Sequence, residues 1–150
     1  MKELLLAYEN GPIGLFVRES LWGYPLVLTS HAIGMATVLG VALMLCMRVL
    51  GFAKGINPLA FDKLFTVGWI GFIINLVSGL LLFAGSASQY FYQWTFQLKI
   101  GAILTGGVLL KFVMNAVRAN ATNQKLLAFI CMTSWLVGVV TGRLMAYITG

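Results

Sequence analysis

The sequence predicts an all-α integral membrane protein, an up-down bundle of four helices with a short N-terminal interfacial segment. The 150-residue chain is 60% hydrophobic and only 9% charged, whereas a soluble domain carries about 25% charged residues. Four segments are apolar enough to cross a hydrocarbon core, which takes about 20 residues. The links between these segments are short, and short links join antiparallel neighbours. Residues 1–150 are therefore expected to form a single transmembrane domain.

The elements can be predicted in chain order. Pro12 suits the first turn of a helix, and the stretch GPIGLFVRES predicts either a segment lying on the membrane surface or a plain lead-in to the first span. The predicted spans are about 22–50, 64–83, 96–117 and 126–148. They are helices because lipid offers no water to satisfy open backbone groups. Asp62, just before the second span, is expected to cap that helix.

The distribution of lysine and arginine predicts the orientation. One end of the bundle holds Arg48, Lys54, Lys63, Lys111, Arg118 and Lys125. The other end holds Lys2, Arg18, Lys99 and Arg143, with three of the four acidic residues. Positively charged loops remain in the cytoplasm, so both termini are expected outside. The basic residues are spread singly, and no nucleic-acid surface is predicted.

One ionisable side chain lies well inside a predicted span. His31 is the single histidine of the chain, and its place in the first span puts it roughly 13 Å below the outer end at 1.5 Å rise per residue. Ionisable groups at such depth are costly and usually functional. The functional interpretation is an axial ligand for haem iron, or a proton relay. The alternative is a neutral histidine hydrogen-bonded to a neighbouring helix.

Two basic residues are predicted at a similar depth on other helices. Lys99 lies near the start of the third span, and Arg143 near the outer end of the fourth. Each side chain either extends its charge to the membrane surface or binds an anion such as a haem propionate, a carboxylate or a lipid phosphate. Helical bundles hold cofactors in their cores. A b-type haem with His31 on iron and Lys99 and Arg143 near its propionates is therefore a coherent site.

The second axial ligand of such a haem is left open. With one histidine in the chain, the other position falls to a methionine, to water, to no ligand, or to a residue of another chain. Met35 lies one turn from His31 on the same helix and cannot reach the opposite face of the iron. The absence of any cofactor is the alternative.

The remaining polar groups favour structural roles. Asn75, near the middle of the second span, is expected to hydrogen-bond a neighbouring helix. Cys46 and Cys131 lack metal-type spacing and are expected to be buried neighbours at one depth. No Ser-His-Asp set or nucleotide-binding glycine pattern is present. An electron-transfer or accessory role is therefore favoured over a stand-alone enzyme.

Four short motifs follow one another along the chain. The first span carries H-x-x-G at His31 and Gly34 and ends with R-x-L-G at Arg48 to Gly51. The third opens with F-x-x-K at Phe96 to Lys99, and the fourth ends with G-R-x-x-A-Y at Gly142 to Tyr147. In this order and spacing, the motifs resemble an uncharacterised family of bacterial four-helix integral membrane proteins.

The resemblance implies a multi-pass protein of the bacterial inner membrane. The charge distribution, which places both termini outside, then predicts that they lie in the periplasm. It brings no established activity, but it singles out the same His31, Lys99 and Arg143. The family pattern has an acid where this chain has Cys46, which weakens the expectation of an ion pair between that position and Arg48. At the level of fold alone, the layout is also similar to cytochrome b561-like and copper-resistance membrane proteins.

Three functions follow as hypotheses. The first is electron transfer near the outer face by a haem-binding bundle, with a redox partner on that face. The second is a non-catalytic accessory subunit that stabilises a larger membrane complex. The third, a small transporter or channel, fits less well, because the polar residues cluster toward the outer leaflet instead of lining the whole membrane. In each case the chain is expected to contact membrane lipids and to form a homo-oligomer or part of a larger complex.

Overall fold

The regular structure of the described residues is entirely helical. The computed structural model describes residues 2–145 and 147. Its helices are α1 (Lys2–Glu9), α2 (Pro12–Glu19), α3 (Gly23–Leu50), α4 (Asp62–Gly85), α5 (Ala87–Tyr90), α6 (Trp94–Arg118) and α7 (Gln124–Leu144). Helices α3, α4, α6 and α7 are long and apolar enough to cross a membrane. The predicted all-α membrane bundle is confirmed.

The four long helices overlap the four predicted spans. Helix α3 matches its prediction to within one residue, and the other three helices have different bounds. Helix α4 covers Asp62–Gly85 where 64–83 was predicted, and α6 covers Trp94–Arg118 where 96–117 was predicted. Backbone hydrogen bonding continues beyond the apolar core into the polar interface, so helices extend past their hydropathy limits. Helix α7 ends at Leu144, and part of its predicted extension to 148 lies outside the described residues.

The helix ends at the α3–α4 link have clear local causes. Gly51 adopts φ +113°, a left-handed conformation that suits glycine, and stops α3. A short 3₁₀ turn, Pro58–Phe61, then leads into α4. The prediction that Asp62 caps α4 is wrong: Asp62 is the first residue of the helix, and its carboxylate accepts a hydrogen bond from Arg118 Nε at 3.2 Å.

The bundle consists of two tightly packed helix pairs. Helix α3 packs along α4 and α6 along α7, while the contact between α3 and α7 joins the two pairs. Gly34 lets α3 approach α4, since a Cβ added there would lie 2.6 Å from the backbone nitrogen of Asn75. Across the bundle, α4 and α6 meet through aromatic rings, with Phe83 and Phe96 stacked at a centroid distance of 5.2 Å.

The apolar core occupies one half of the bundle. This half adjoins the links 51–61 and 119–123. We call it the basic end, because most of the lysine and arginine residues lie there, and we call the opposite half the terminal end. The core consists of Val38, Ala42, Leu45, Cys46, Val49, Phe61, Leu110, Val113, Met114, Val117, Ala128, Cys131 and Trp135. Buried polar residues include Asn75, Ser78, Gln93, Thr95 and Thr141, in the middle of the bundle and at the terminal end. The two halves therefore differ in chemical character.

The N-terminal segment forms two short helices against the terminal end. Helix α2 packs on α3 and α4, and α1 packs on α5. Gly14 lies close to α4, because a Cβ added at Gly14 would be 2.7 Å from the carbonyl oxygen of Ala84. Val17 is buried beside Gly85. Ile13 and Phe16 expose apolar side chains. The segment is thus a hairpin of two helices docked on the bundle, separate from the first span.

Candidate functional site

His31 is held against α4 by a set of short contacts. Its Nδ1 atom lies 3.1 Å from the backbone oxygen of Asn75 and 3.1 Å from Oγ of Ser78. Gly79 makes room for the ring, because a Cβ added there would lie 3.2 Å from His31 Cε1. Asn75 Nδ2 also donates to the His31 carbonyl oxygen at 3.1 Å. The imidazole is therefore fixed at the α3–α4 interface.

The surroundings of Nδ1 favour one tautomer of the His31 imidazole. The Asn75 carbonyl oxygen can only accept a hydrogen bond, and the Ser78 hydroxyl donates its proton to the Ile74 carbonyl oxygen at 2.6 Å. Two acceptors thus lie 3.1 Å from Nδ1. The donor Asn75 Nδ2 is also near, at 3.4 Å, but it donates to the His31 carbonyl oxygen at 3.1 Å. This geometry favours the tautomer of the neutral ring that carries its proton on Nδ1. The lone pair of the neutral imidazole then resides on Nε2.

The Nε2 atom of His31 is buried and has no hydrogen-bond partner within residues 2–145 and 147. A buried polar atom without a partner is costly, roughly 1–3 kcal/mol, so such atoms usually mark an ordered water, a ligand or a catalytic role. Histidines that bind metals commonly donate their other ring N–H to a carbonyl oxygen. His31 has this arrangement, and its free nitrogen is suited to a metal or to a proton donor.

Lys99 and Arg143 lie at the terminal end but in different settings. Lys99 is half-buried on α6. Its side chain packs on Gly142, because a Cβ added at Gly142 would lie 3.3 Å from Lys99 Cε. Its charge lies within electrostatic range of His31. Arg143 is exposed, with its guanidinium 6.0 Å from the ring centroid of Tyr147. The structure thus brings Lys99 toward His31 and leaves Arg143 on the surface.

The imidazole of His31 would be a chemically suitable ligand for a haem iron, but the described residues provide no complete metal site. His31 offers a single imidazole nitrogen, and no group of three or more His, Cys, Asp or Glu side chains among the described residues could hold a metal ion. His31 lines neither the small apolar cleft beside Trp135 nor the polar cleft beside Arg48. His31 is therefore the described residue that would hold a haem here.

Ser78 belongs to the site and was not predicted from the sequence. It follows Asn75 by three residues and precedes Gly79, and positions three and four apart share a helix face. That spacing was the available signal. The hydroxyls nearest in sequence, Thr29 and Ser30, instead donate to the carbonyl oxygens of their own helix at 2.8 Å and 2.9 Å.

The two cysteines form a separate buried pair near the basic end. Cys46 on α3 and Cys131 on α7 are fully buried free thiols in direct side-chain contact. Cys131 Sγ also lies 3.6 Å from the carbonyl oxygen of Gly106. Their predicted position as buried neighbours is confirmed, and both contribute to the apolar core.

No protein-family model matches the chain, and neither a curated protein nor a solved structure matches it significantly. The geometry around His31 is therefore the basis for assigning a function.

Proposed function

We propose that this protein is a membrane-embedded electron-transfer protein that binds one b-type haem through Nε2 of His31. The observation that carries the proposal is the buried Nε2 atom, which lacks a partner in the described chain while Nδ1 is held by Asn75 and Ser78. The protein resides in the bacterial inner membrane with both termini in the periplasm, so the site lies in the outer leaflet. Haem, when bound, supplies the one-electron carrier.

The protein's own residues orient and tune the ligand. The Asn75 carbonyl oxygen fixes the ring by accepting a hydrogen bond from Nδ1–H. This bond makes Nε2 more basic and therefore a stronger electron-pair donor to a metal. The ammonium of Lys99 balances the negative charge of a propionate, because opposite charges attract strongly away from water. Arg143, exposed at the terminal end, offers a second cation to a propionate or to a redox partner.

The test is a dithionite-reduced minus oxidised absorbance spectrum of the detergent-purified protein and of His31→Ala. We expect a Soret band in the parent and its loss in the variant. Ser30→Ala serves as the matched control, because Ser30 is exposed one residue away and donates only within its own helix. A flat spectrum from well-folded parent protein produced with sufficient haem would overturn the proposal.

A second candidate function, an accessory subunit of a larger membrane complex, is favoured by an outward-facing row of small residues on α3. Ala32 and Ala36 are exposed, and a Cβ added at Gly40 would contact nothing within 4 Å. Such a row lets a partner helix approach closely. Co-purification tests this: Gly40→Leu should release the partner, whereas Gly101→Leu, at an equally open position on α6, should not.

A further inference from the structure

A second polar site lies at the basic end, opposite His31. The last turns of α3 and α6, the first turn of α7 and the turn before α4 enclose a cleft of about 450 Å³. Small-molecule sites commonly occupy about 300–1,000 Å³. The polar side chains that line the cleft are Arg48, Asn57, Arg118, Asn120 and Gln124. Their convergence distinguishes the cleft from the scattered surface lysines that only set topology.

Arg48 keeps an unneutralised charge at this cleft. Its guanidinium donates to the carbonyl oxygens of Ile56 and Lys54, which hold it in place without cancelling its charge. Of the four acidic residues in the chain, Asp62 alone lies at this end. Asp62 is already paired with Arg118. The cleft therefore has a net positive charge, and the guanidinium of Arg48 is the part of it that no carboxylate balances.

The carboxamides of the cleft add hydrogen-bond donors. Asn57 accepts from the backbone N–H of Leu59 at 3.0 Å through Oδ1, which leaves its Nδ2 hydrogens free to donate. Asn120 adopts φ +48° at the end of α6, and Gln124 begins α7. The side chains of Asn120 and Gln124 form no hydrogen bond within the described chain. Guanidinium and amide donors that line one cleft make a site for an anion.

We propose that this cleft binds the phosphate group of an anionic ligand, with Arg48 as its principal partner. A guanidinium fork matches the geometry of phosphate oxygens and is more selective for them than an ammonium. The cleft lies where the spanning helices end, so the phosphate can come from a lipid headgroup or from a soluble phosphate compound. This site is independent of haem binding at the terminal end.

The test uses the 150-residue chain in a neutral detergent with two probes. Inorganic phosphate is titrated calorimetrically, and dioleoylphosphatidylglycerol is compared with dioleoylphosphatidylcholine by native mass spectrometry. We expect Arg48→Gln to weaken binding about tenfold, because it removes a charge-assisted hydrogen-bonding partner. Gln124→Glu should weaken binding as much, since it places a carboxylate in the cleft. That change is expected to preserve folding, because a negative charge favours a helix N-terminus.

Lys111→Gln is the matched control, because it changes the net charge by the same amount as either variant and does not line the cleft. Phosphate binding that both cleft variants weaken and Lys111→Gln retains would identify a soluble phosphate compound. Selective retention of phosphatidylglycerol, with the same pattern across the variants and no binding of inorganic phosphate, would identify a lipid headgroup. Equal effects of all three substitutions, or binding of neither probe, would overturn the proposal.

Discussion

Glu9 and Ser88 are joined by two hydrogen bonds although 79 residues separate them in sequence. Glu9 Oε2 accepts from the backbone N–H of Ser88 at 3.0 Å and from its hydroxyl at 2.7 Å. Arg18 forms an ion pair with the other carboxylate oxygen at 3.2 Å. The bonds from Ser88, aided by the charge of Arg18, hold the pKa of Glu9 below its ordinary value. This carboxylate fastens the N-terminal hairpin to α5.

Docking of the N-terminal hairpin should weaken in acid. Because the pKa of Glu9 is lowered in the docked state, the stabilisation is complete above the ordinary pKa and disappears as the pH falls through the lowered value. Glu9→Gln should abolish that pH dependence and weaken docking by about 1–2 kcal/mol at neutral pH. Hydrogen exchange of residues 2–20, corrected for intrinsic rates, measures both effects.

Glu19→Gln is the control for this prediction. Glu19 lies in the same hairpin and is exposed, and its side chain forms no hydrogen bond within the described chain. Its substitution should leave both the docking and its pH dependence unchanged. Identical behaviour of the two variants would assign the effect to the net charge of the hairpin instead of to the bonds with Ser88.

Gly34→Ala should destabilise the bundle, whereas Gly40→Ala should not. A methyl group at Gly34 would lie 2.6 Å from the backbone nitrogen of Asn75 and 2.9 Å from the backbone oxygen of Gly71, so α3 and α4 must separate. Overpacking of this kind costs about 1–3 kcal/mol. The same methyl at Gly40 meets open space. Thermal unfolding in detergent compares the two, and equal midpoints would contradict the close α3–α4 contact.

Asn75→Ala should lower the unfolding free energy by about 1–2 kcal/mol, since it removes an interhelical hydrogen bond and leaves a small void. The bond lost is the one from Nδ2 to the His31 carbonyl oxygen at 3.1 Å. Asn115→Ala, at an exposed position on α6, is the control and should change little. Unfolding by titration with a denaturing detergent measures the difference.

In the haem-loaded protein, Lys99→Gln should lower the midpoint reduction potential. The substitution removes a half-buried positive charge that interacts electrostatically with His31. Without that charge the reduced state, which carries one more electron, is less stable. Lys111→Gln removes the same charge at the basic end and should leave the potential unchanged. A spectroelectrochemical titration of both variants distinguishes a local effect from one of net charge, and an unchanged potential in Lys99→Gln would contradict its place beside the haem.

Both cysteines should resist alkylation until the bundle unfolds. Cys46 and Cys131 have no exposed surface and pack in the apolar core. A membrane-permeant maleimide should therefore label neither thiol in the native protein and both after denaturation, as counted by mass spectrometry. Rapid labelling of Cys131 alone under native conditions would show that α7 separates from the core more readily than its packing indicates.

The long helices could be predicted because hydropathy over 20 or so residues reflects a single dominant cost, that of exposing backbone and charge to lipid. His31 was predicted as a site residue for the same reason, since it is the ionisable group deepest in an apolar segment. The contact between His31 Nδ1 and the Ser78 hydroxyl was not predictable to the same degree, because it depends on the rotation of α4 about its axis. Gly34 and Gly71 set that rotation through contacts between distant positions.

Asp62 illustrates the opposite case, a local signal overridden by a distant one. An acidic residue before an apolar run usually caps the helix. The carboxylate of Asp62 instead accepts a hydrogen bond from the guanidinium of Arg118, 56 residues further along the chain. The exposed setting of Arg143 likewise depends on where α7 ends, and sequence patterns place helix ends only to within one or two residues.

The pairing of α3 with α4 and of α6 with α7 has a consequence for biogenesis. Each of the two tightest interfaces joins helices that are consecutive in the chain, so each pair can enter the bilayer as a closed hairpin as soon as its second helix has been synthesised. The contact between α3 and α7 forms only after α7 has been synthesised. Ribosome-bound chains truncated after α4 should already hold α3 and α4 together, leaving the second hairpin to complete the bundle as the last step of assembly.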